Sequence, residues 1–294
     1  MSALPLARTQ TMRLIASLIA CAAMVAAEYA PTVDQTRLYT WTVDQSADWA
    51  SAGDKLHFDT KITWGMALRC VAVTAQRVQL NATFVTLKAT HTGPGVNVRI
   101  DGETGAGADD PLLGHLLALK GQTLVLDVDR STGVVSSVNG GDEIIAEINK
   151  RAPASMPGDP PPLDASARLA YSSESLSRLW SQILALPVND KKVAVPLPAP
   201  FVPGTTAERS WKGSEWTVAL ASDAKAPAFE ISKDPSGVRG VVKKLAGSGS
   251  MAISAGLPAK ATGKLTFTLA MEALTQPVES QHELKWELAE LKSP

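Results

Sequence analysis

Between Thr262 and Leu291 apolar and polar residues alternate more cleanly than anywhere else in the chain, which restricts it to folds built on a sheet with one dry face. In an extended backbone Leu265, Phe267, Leu269, Met271 and Ala273 fall on one side, and Lys264, Thr266, Thr268 and Glu272 on the other. After Thr275, Gln276 and Pro277, the return segment sets Leu284, Trp286 and Leu288 against Glu283, Lys285, Glu287 and Ala289, so the two runs read as paired antiparallel strands. A hairpin alone is marginal in water, and its apolar face needs a second layer from the rest of the chain.

The first half supplies more strands of the same kind. Leu56, Phe58, Ile62, Trp64, Met66 and Leu68 share one face of the run Lys55 to Arg69, opposite Lys55, His57, Asp59, Lys61, Thr63 and Arg69. Gln76 to Thr90 and Val96 to Ile100 continue the pattern, and Tyr39, Trp41 and Val43 mark an earlier strand followed by a polar stretch to Gly53. These read as a meander. Thr92 to Asp110, rich in Gly, Asp and Asn, reads as mainly loop. Strands are also expected at Gln122 to Asp129 and Val134 to Val138, and later at Glu215 to Ala221, Ala228 to Lys233, Val238 to Leu245 and Ser250 to Ala255, with Gly247-Ser248-Gly249-Ser250 as a turn.

Three segments carry helical spacing. Leu112, Leu113, Leu116, Leu117 and Leu119 end at Lys120-Gly121, a basic last turn with a glycine stop. Asp142 precedes Ile144, Ile145 and Ile148 as a cap. Asp164 to Leu186 reads as helix broken near Ser172 and Ser173, where a hydroxyl caps a second piece bearing Leu176, Leu179, Trp180, Ile183 and Leu184. The fold class is therefore α+β, a predominantly antiparallel sheet, curved or half-barrel, with a few covering helices. Proline clusters suggest a division into residues 28–152, a helical connector 153–205 and a second β-rich half 206–294. Asp129 to Val134 and Asp234 to Val238 both place an acidic residue, a turn and a glycine before a valine-bearing strand; two related halves or two independently good turns account for this equally well.

Residues 1–27 have the pattern of an export signal: Arg8 and Arg13 ahead of Leu14, Ile15, Leu18 and Ile19, then Val25-Ala26-Ala27 at the cleavage position, with Met12 an alternative start. The run is too short for a lasting transmembrane anchor. Leu18-Ile19-Ala20-Cys21 also has the form of a lipoprotein box, in which Cys21 would be lipidated, but the short apolar region before it favours simple cleavage. Removal of this segment leaves Cys70 as the lone thiol, expected buried and inert, and no intramolecular disulfide. A net charge of −1 over 294 residues gives no electrostatic footprint for nucleic acid.

No constellation of residues announces a reaction, a cofactor or a metal, so no catalytic, cofactor-binding or metal-binding residue is assigned. Asp127-Val128-Asp129-Arg130-Ser131 hints at a calcium loop, yet the positions that would need glycine and glutamate hold Thr132 and Val138, leaving a simple turn. His57, His91, His115 and His282 show no metal-ligand spacing; His57 and His282 are read onto polar strand faces, and His115 as a packing residue among leucines beside Asp109 and Asp110, which act as caps. Gly102 to Gly107 lacks the elements of a phosphate loop and reads as a turn. Seven tryptophans against three tyrosines and five phenylalanines suit either the layer between sheet and helix or an apolar cavity.

The order of Trp41-Thr42-Val43, Gly121 before Leu124-Val125-Leu126-Asp127, Thr132-Gly133-Val134, a helix, a proline-rich link and Ser236-Gly237-Val238 resembles an uncharacterised family of exported bacterial proteins, a domain of unknown function of planctomycete type. The resemblance implies an envelope location and an antiparallel fold, and brings no catalytic residues. More distantly, a sheet with covering helices is similar to lipoprotein-carrier half-barrels. The expectation is an exported, non-enzymatic protein, periplasmic or extracellular, that encloses an apolar or lipid-like ligand between sheet and helices. A structural module binding an envelope protein partner is the alternative, and an extracytoplasmic hydrolase the third reading.

Overall fold

The computed structural model describes residues 28–51, 54–110, 113–151, 170–187, 192–198, 201, 204–219, 226–230, 239–272 and 278–291. The expected export signal with Cys21, the proline cluster near 153–162, the turn at 234–238 and the hairpin connection at 275–277 lie outside those residues.

The strands are β1 (Thr36–Ser51), β2 (Asp54–Val73), β3 (Arg77–Gly93), β4 (Val96–Asp101), β5 (Thr123–Asp129), β6 (Val135–Asn139), β7 (Lys192–Pro196), β8 (Thr206–Lys212), β9 (Glu215–Ala219), β10 (Ala226–Glu230), β11 (Arg239–Ser254), β12 (Leu257–Glu272) and β13 (Val278–Glu290). They form one curved, open, antiparallel sheet in the order β6-β5-β3-β2-β1-β13-β12-β11-β9-β8-β7, with β4 added to β3 and β10 to β11. The expected hairpin is present as β12 and β13, with Phe267 opposite His282 and Leu265 opposite Leu284. The first and last strands pair at the centre, Trp41 opposite Leu288 and Val43 opposite Trp286, so both β-rich halves join a single sheet.

One face of this sheet is dry. Tyr39, Trp41, Trp64, Met66, Leu68, Leu80, Phe84, Leu124, Leu126, Leu265, Trp286 and Leu288 are buried on it. The other carries paired charges, among them Lys61 with Asp44, Lys260 with Glu287, and Glu283 with both Lys264 and Lys285, as an antiparallel sheet solvated on one side allows.

Two expectations about strand limits are corrected. The polar stretch after Val43 remains strand to Ser51, because β13 and β2 flank it on both sides and take up its backbone hydrogen bonds; Gln45, Ala47 and Trp49 continue the inner face. Gly247-Ser248-Gly249-Ser250 is not a turn but the middle of β11, where bulky neighbours need the room. Gly249 lies opposite Gly263, Trp216 and Trp286 flank the pair, and the two indoles stack over the glycines with centroids 5.8 Å apart. A Cβ on Gly263 would sit 1.9 Å from Trp286, and one on Gly249 would sit 2.1 Å from the Thr262 carbonyl oxygen.

The cover consists of a short 3-10 helix (Gly114–Leu119), α1 (Gly141–Arg151) and α2 (Ser173–Leu184). The leucine-rich segment is 3-10 rather than α, and Gly121 stops it at φ +84°. In α1, Asp142 lies in the first turn rather than at the cap, and Ile144, Ile145 and Ile148 are buried as their spacing predicts. Ser172 does cap α2: its hydroxyl accepts from the Ser175 N–H at 3.2 Å.

Helix α2 reaches both ends of that strand order. On the β6 side, Ser181 and Ser173 hydroxyls accept from the Val135 and Val138 N–H groups at 2.9 and 3.2 Å. On the β7 side, Gln182 donates to the Pro196 carbonyl and Arg178 to the Leu197 and Phe201 carbonyls. Arg209 from β8 lies over the Trp216 ring at 4.0 Å and donates to Gln182 Oε1 at 2.6 Å, tying the helix to the far wall. Exposed strand edges invite pairing with other chains, and α2 blunts both.

Candidate functional site

Where α2 crosses the curved sheet, the two layers do not fully close. A cavity of about 300 Å³ remains, floored by Trp41, Ile62, Trp64 and Phe84 of β1, β2 and β3 and roofed by Leu176, Leu179 and Trp180 of α2, with Leu116 and Leu119 of the 3-10 helix at one side. Its size is at the lower end of ligand pockets, roughly 300–1,000 Å³. The alternation that builds the sheet also builds the site. Odd positions of β1 and even positions of β2 face inward, so Trp41 and Trp64 stand opposite one another and stack with centroids 4.5 Å apart; Trp180 tilts over Trp41 at 5.4 Å.

The cavity runs along β1 from Trp41 to Gln45, four residues or about 13 Å at ~3.3 Å per residue. At the far end Gln45 is exposed, and His282, Leu284 and Glu283 complete the rim. The inner face continues past this rim with Thr60, His91 and Phe58, all half-buried, and with Leu56, 42% exposed. His91 shares a hydrogen bond with Thr60 Oγ1 at 2.8 Å, its ring stacked with Phe58.

His282 is displaced from its expected place. The sequence reading puts it on a polar face, but the parity that points Leu284 and Trp286 inward holds for residue 282 as well. Its ring stacks on Phe267 at 4.8 Å, meets Trp49 edge-on at 5.8 Å, and shares a hydrogen bond with Ser280 Oγ through Nε2 at 2.7 Å. Burial lowers its pKa, so neutral imidazole is favoured. A serine beside a histidine invites comparison with nucleophilic sites. Ser280, however, is 2% exposed and not part of the cavity wall, and among the described residues His282 Nδ1 has no orienting partner.

The other histidines and acids have local roles. His57 lies on the outer face, bridging Asp48 at 2.7 Å and Asp59 at 2.9 Å, and those hydrogen bonds raise its pKa. His115 is half-buried on the 3-10 helix. Asp110 Oδ1 accepts from the Leu113 N–H at 2.8 Å just ahead of that helix. Asp129 Oδ1 accepts from the backbone N–H and the hydroxyl of both Ser131 and Thr132, closing the β5–β6 turn. Cys70 is fully buried, and burial pushes its thiol up, as expected of an inert core cysteine.

Among the described residues no three His, Cys, Asp or Glu side chains are grouped to hold a metal ion, and no helix is long and apolar enough to cross a membrane. No family model and no curated protein matches the sequence. Among solved structures the chain is similar to lipovitellin, from a structure concerned with lipid–protein interactions, at TM-score 0.45 and 11% identity over 90% of this chain; it spans 26% of the lipovitellin chain. It is similar to DynF from the dynemicin biosynthesis pathway of Micromonospora chersina, at TM-score 0.21 and 10% identity, covering 93% of this chain and 88% of that one. A third likeness is to the translocator domain of the autotransporter NalP from Neisseria meningitidis, at TM-score 0.21 and 8% identity over 94% of both chains. Likenesses at these scores carry no functional argument.

Proposed function

We propose that this is an exported, non-enzymatic envelope protein that holds an apolar ligand between its curved sheet and helix α2. The observation that carries the reading is the cavity itself: about 300 Å³, walled by tryptophan, leucine, isoleucine and phenylalanine, with its polar residues gathered mainly at one rim. A cavity of roughly half that volume, lined by Leu, Ile and Phe, binds benzene. The export half of the proposal is supported by the arginine, apolar and small-residue pattern of residues 1–27. The test is native mass spectrometry of the purified protein, followed by thermal-shift assays of delipidated material with short and long acyl chains. A bound species or a stabilising chain is expected; recovery of the bare chain with no thermal shift from any of them would refute ligand carriage.

A second reading, a module that binds an envelope protein, draws on the end of the inner face beyond the cavity rim, where Leu56, Phe58 and Trp49 keep part of their surface exposed. Pull-down from an envelope fraction would favour it by recovering one protein in stoichiometric amount, lost on Leu56→Asp.

A further inference from the structure

The lining of the cavity has a direction. Its deep end is closed: Leu124 is fully buried, and Phe84 and Trp64 are 2% and 7% exposed. Toward β13 the wall opens, with Ile62, Leu284 and His282 half-buried and Gln45 exposed, while on the roof Leu179 and Ser175 are half-buried and Ala170, leading into α2, is exposed. The polar groups of the floor at this mouth are in register. Gln45 stands opposite Thr60 on β2, and Thr60 opposite His91 on β3, so these three side chains form one row across the inner face, with neighbouring Cβ atoms about 4.5–5.5 Å apart. His282, two residues from the Leu284 that pairs with Gln45, adds a polar ring on the diagonal.

The row is not just the place where cover ends. Beyond it the same face turns apolar again at Trp49, Phe58 and Leu56, although Leu56 is 42% exposed. A polar band between two apolar stretches suits a ligand that is polar at that level alone. The band has hydrogen-bonding capacity to spare: among the described residues the Gln45 amide makes no hydrogen bond, and the Thr60 and His91 side chains bond only each other. Amide, hydroxyl and imidazole can each donate or accept, so together they meet a hydroxyl or a carbonyl equally well. A polar group carried to the deep end would instead be buried against Phe84 and Leu124, which offer its hydrogen bonds nothing.

Resting on the carrier reading above, we infer that the cavity takes a single-chain amphiphile methyl end first, with its hydrocarbon between Trp64 and Leu179 and its hydroxyl or carbonyl head at the mouth, on the row Gln45, Thr60 and His91. Titration of 1-octanol into the 13C,15N-labelled full chain reads the direction, because its terminal methyl and carbinol protons are resolved from one another. Intermolecular NOEs are expected from the methyl to Phe84 and Leu124, and from the carbinol to the Gln45 side-chain amide, Thr60 and His91. Gln45→Met, which keeps the length of the side chain and removes the amide, should weaken 1-octanol by about five-fold, the worth of one neutral hydrogen bond, and leave octane unchanged. Carbinol contacts to Phe84 and Leu124, carbinol contacts to Ser175 with none to the row, or an equal weakening of octane would each overturn the inference while leaving ligand carriage intact. If neither probe binds, the carrier reading fails and takes this inference with it. The NOEs are read on the unsubstituted chain, so the test survives a variant that does not fold.

Discussion

Replacing Gly263 by alanine tests the packing logic of the inner face more sharply than any change at the cavity. The added methyl would lie 1.9 Å from Cζ2 of Trp286. Carbon atoms pack at about 3.5 Å or more, so the indole must move by about 1.6 Å and surrender its stack on Trp216. Overpacking of that kind costs roughly 1–3 kcal/mol and the aromatic pair is worth about 0.5–1.5, giving an expected loss of about 2–4 kcal/mol. The three nearest atoms at Gly263 all belong to the Trp286 side chain, so the damage should be relieved by shrinking it. Trp286→Leu alone should cost about 2–4 kcal/mol through the space it leaves, and the double variant should be more stable than the sum of the singles by at least about 1.5 kcal/mol, measured by urea unfolding in a double-mutant cycle. Gly249→Ala is the internal control, because its methyl would meet the Thr262 backbone carbonyl at 2.1 Å as well as Trp216. Trp216→Leu should not rescue it. Additivity at the Gly263–Trp286 pair within about 0.5 kcal/mol, or equal rescue at both glycines, would refute the reasoning.

Ser181→Ala removes the acceptor for the Val135 N–H at the β6 edge and should cost about 1–3 kcal/mol, with hydrogen exchange accelerated more at Val135 than at core positions such as Leu126. Burial holds the His282 pKa below its ordinary value, so the folded chain binds that proton less readily than the unfolded chain; stability is unaffected above about pH 6.5 and declines as pH falls below it. His282→Gln should therefore lose less thermal stability than the parent between pH 7.5 and 5.5, and an equal loss would refute that assignment. Hydrolysis of p-nitrophenyl butyrate should stay at background and be unchanged by Ser280→Ala; turnover abolished by that substitution would overturn the non-enzymatic reading.

Alternation showed the strands because a half-buried sheet repeats its environment every two residues, and the runs Lys55 to Arg69 and Thr262 to Leu291 carry that period plainly. It failed where the inner face turns polar. Gln45, Thr60, His91 and His282 lie on the same face as the tryptophans, at and beyond the rim of the cavity, so their positions are not marked by apolar side chains. Parity alone would have placed His282 with Leu284. Gly247 and Gly249 misled for the opposite reason: glycine usually punctuates turns, yet here it makes room for Val218, Leu265 and Trp216 across the strands. The β1–β13 pairing joins segments separated by most of the chain, and no local period encodes such a contact. The cavity was legible only as an excess of tryptophan, since its walls come from β1, β2, β3, β5, β12 and β13 together with the 3-10 helix and α2.

The same geometry explains why the space is there at all. On the β12–β11–β9 side, glycines let the indoles of Trp286 and Trp216 lie flat against the sheet, and Arg209 fills the layer above them. On the β1–β2 side Trp41 and Trp64 stack on one another and Trp180 of α2 tilts over Trp41, beside a floor that includes Ile62 and Phe84. Were the resulting 300 Å³ closed and dry, cavity formation at about 24 cal/mol per Å³ would cost about 7 kcal/mol, comparable with the 5–15 kcal/mol that stabilises a typical domain. Water is a poor occupant, because an ordered molecule needs two to four polar partners and the walls between Trp64 and Leu179 are largely hydrocarbon. An apolar molecule fills the volume without needing polar partners, so occupancy should raise the stability of the whole sheet. Delipidated protein is accordingly expected to unfold at lower urea than protein loaded with an acyl chain that fits the cavity, with the largest loss of exchange protection along α2, where the roof rests on the ligand.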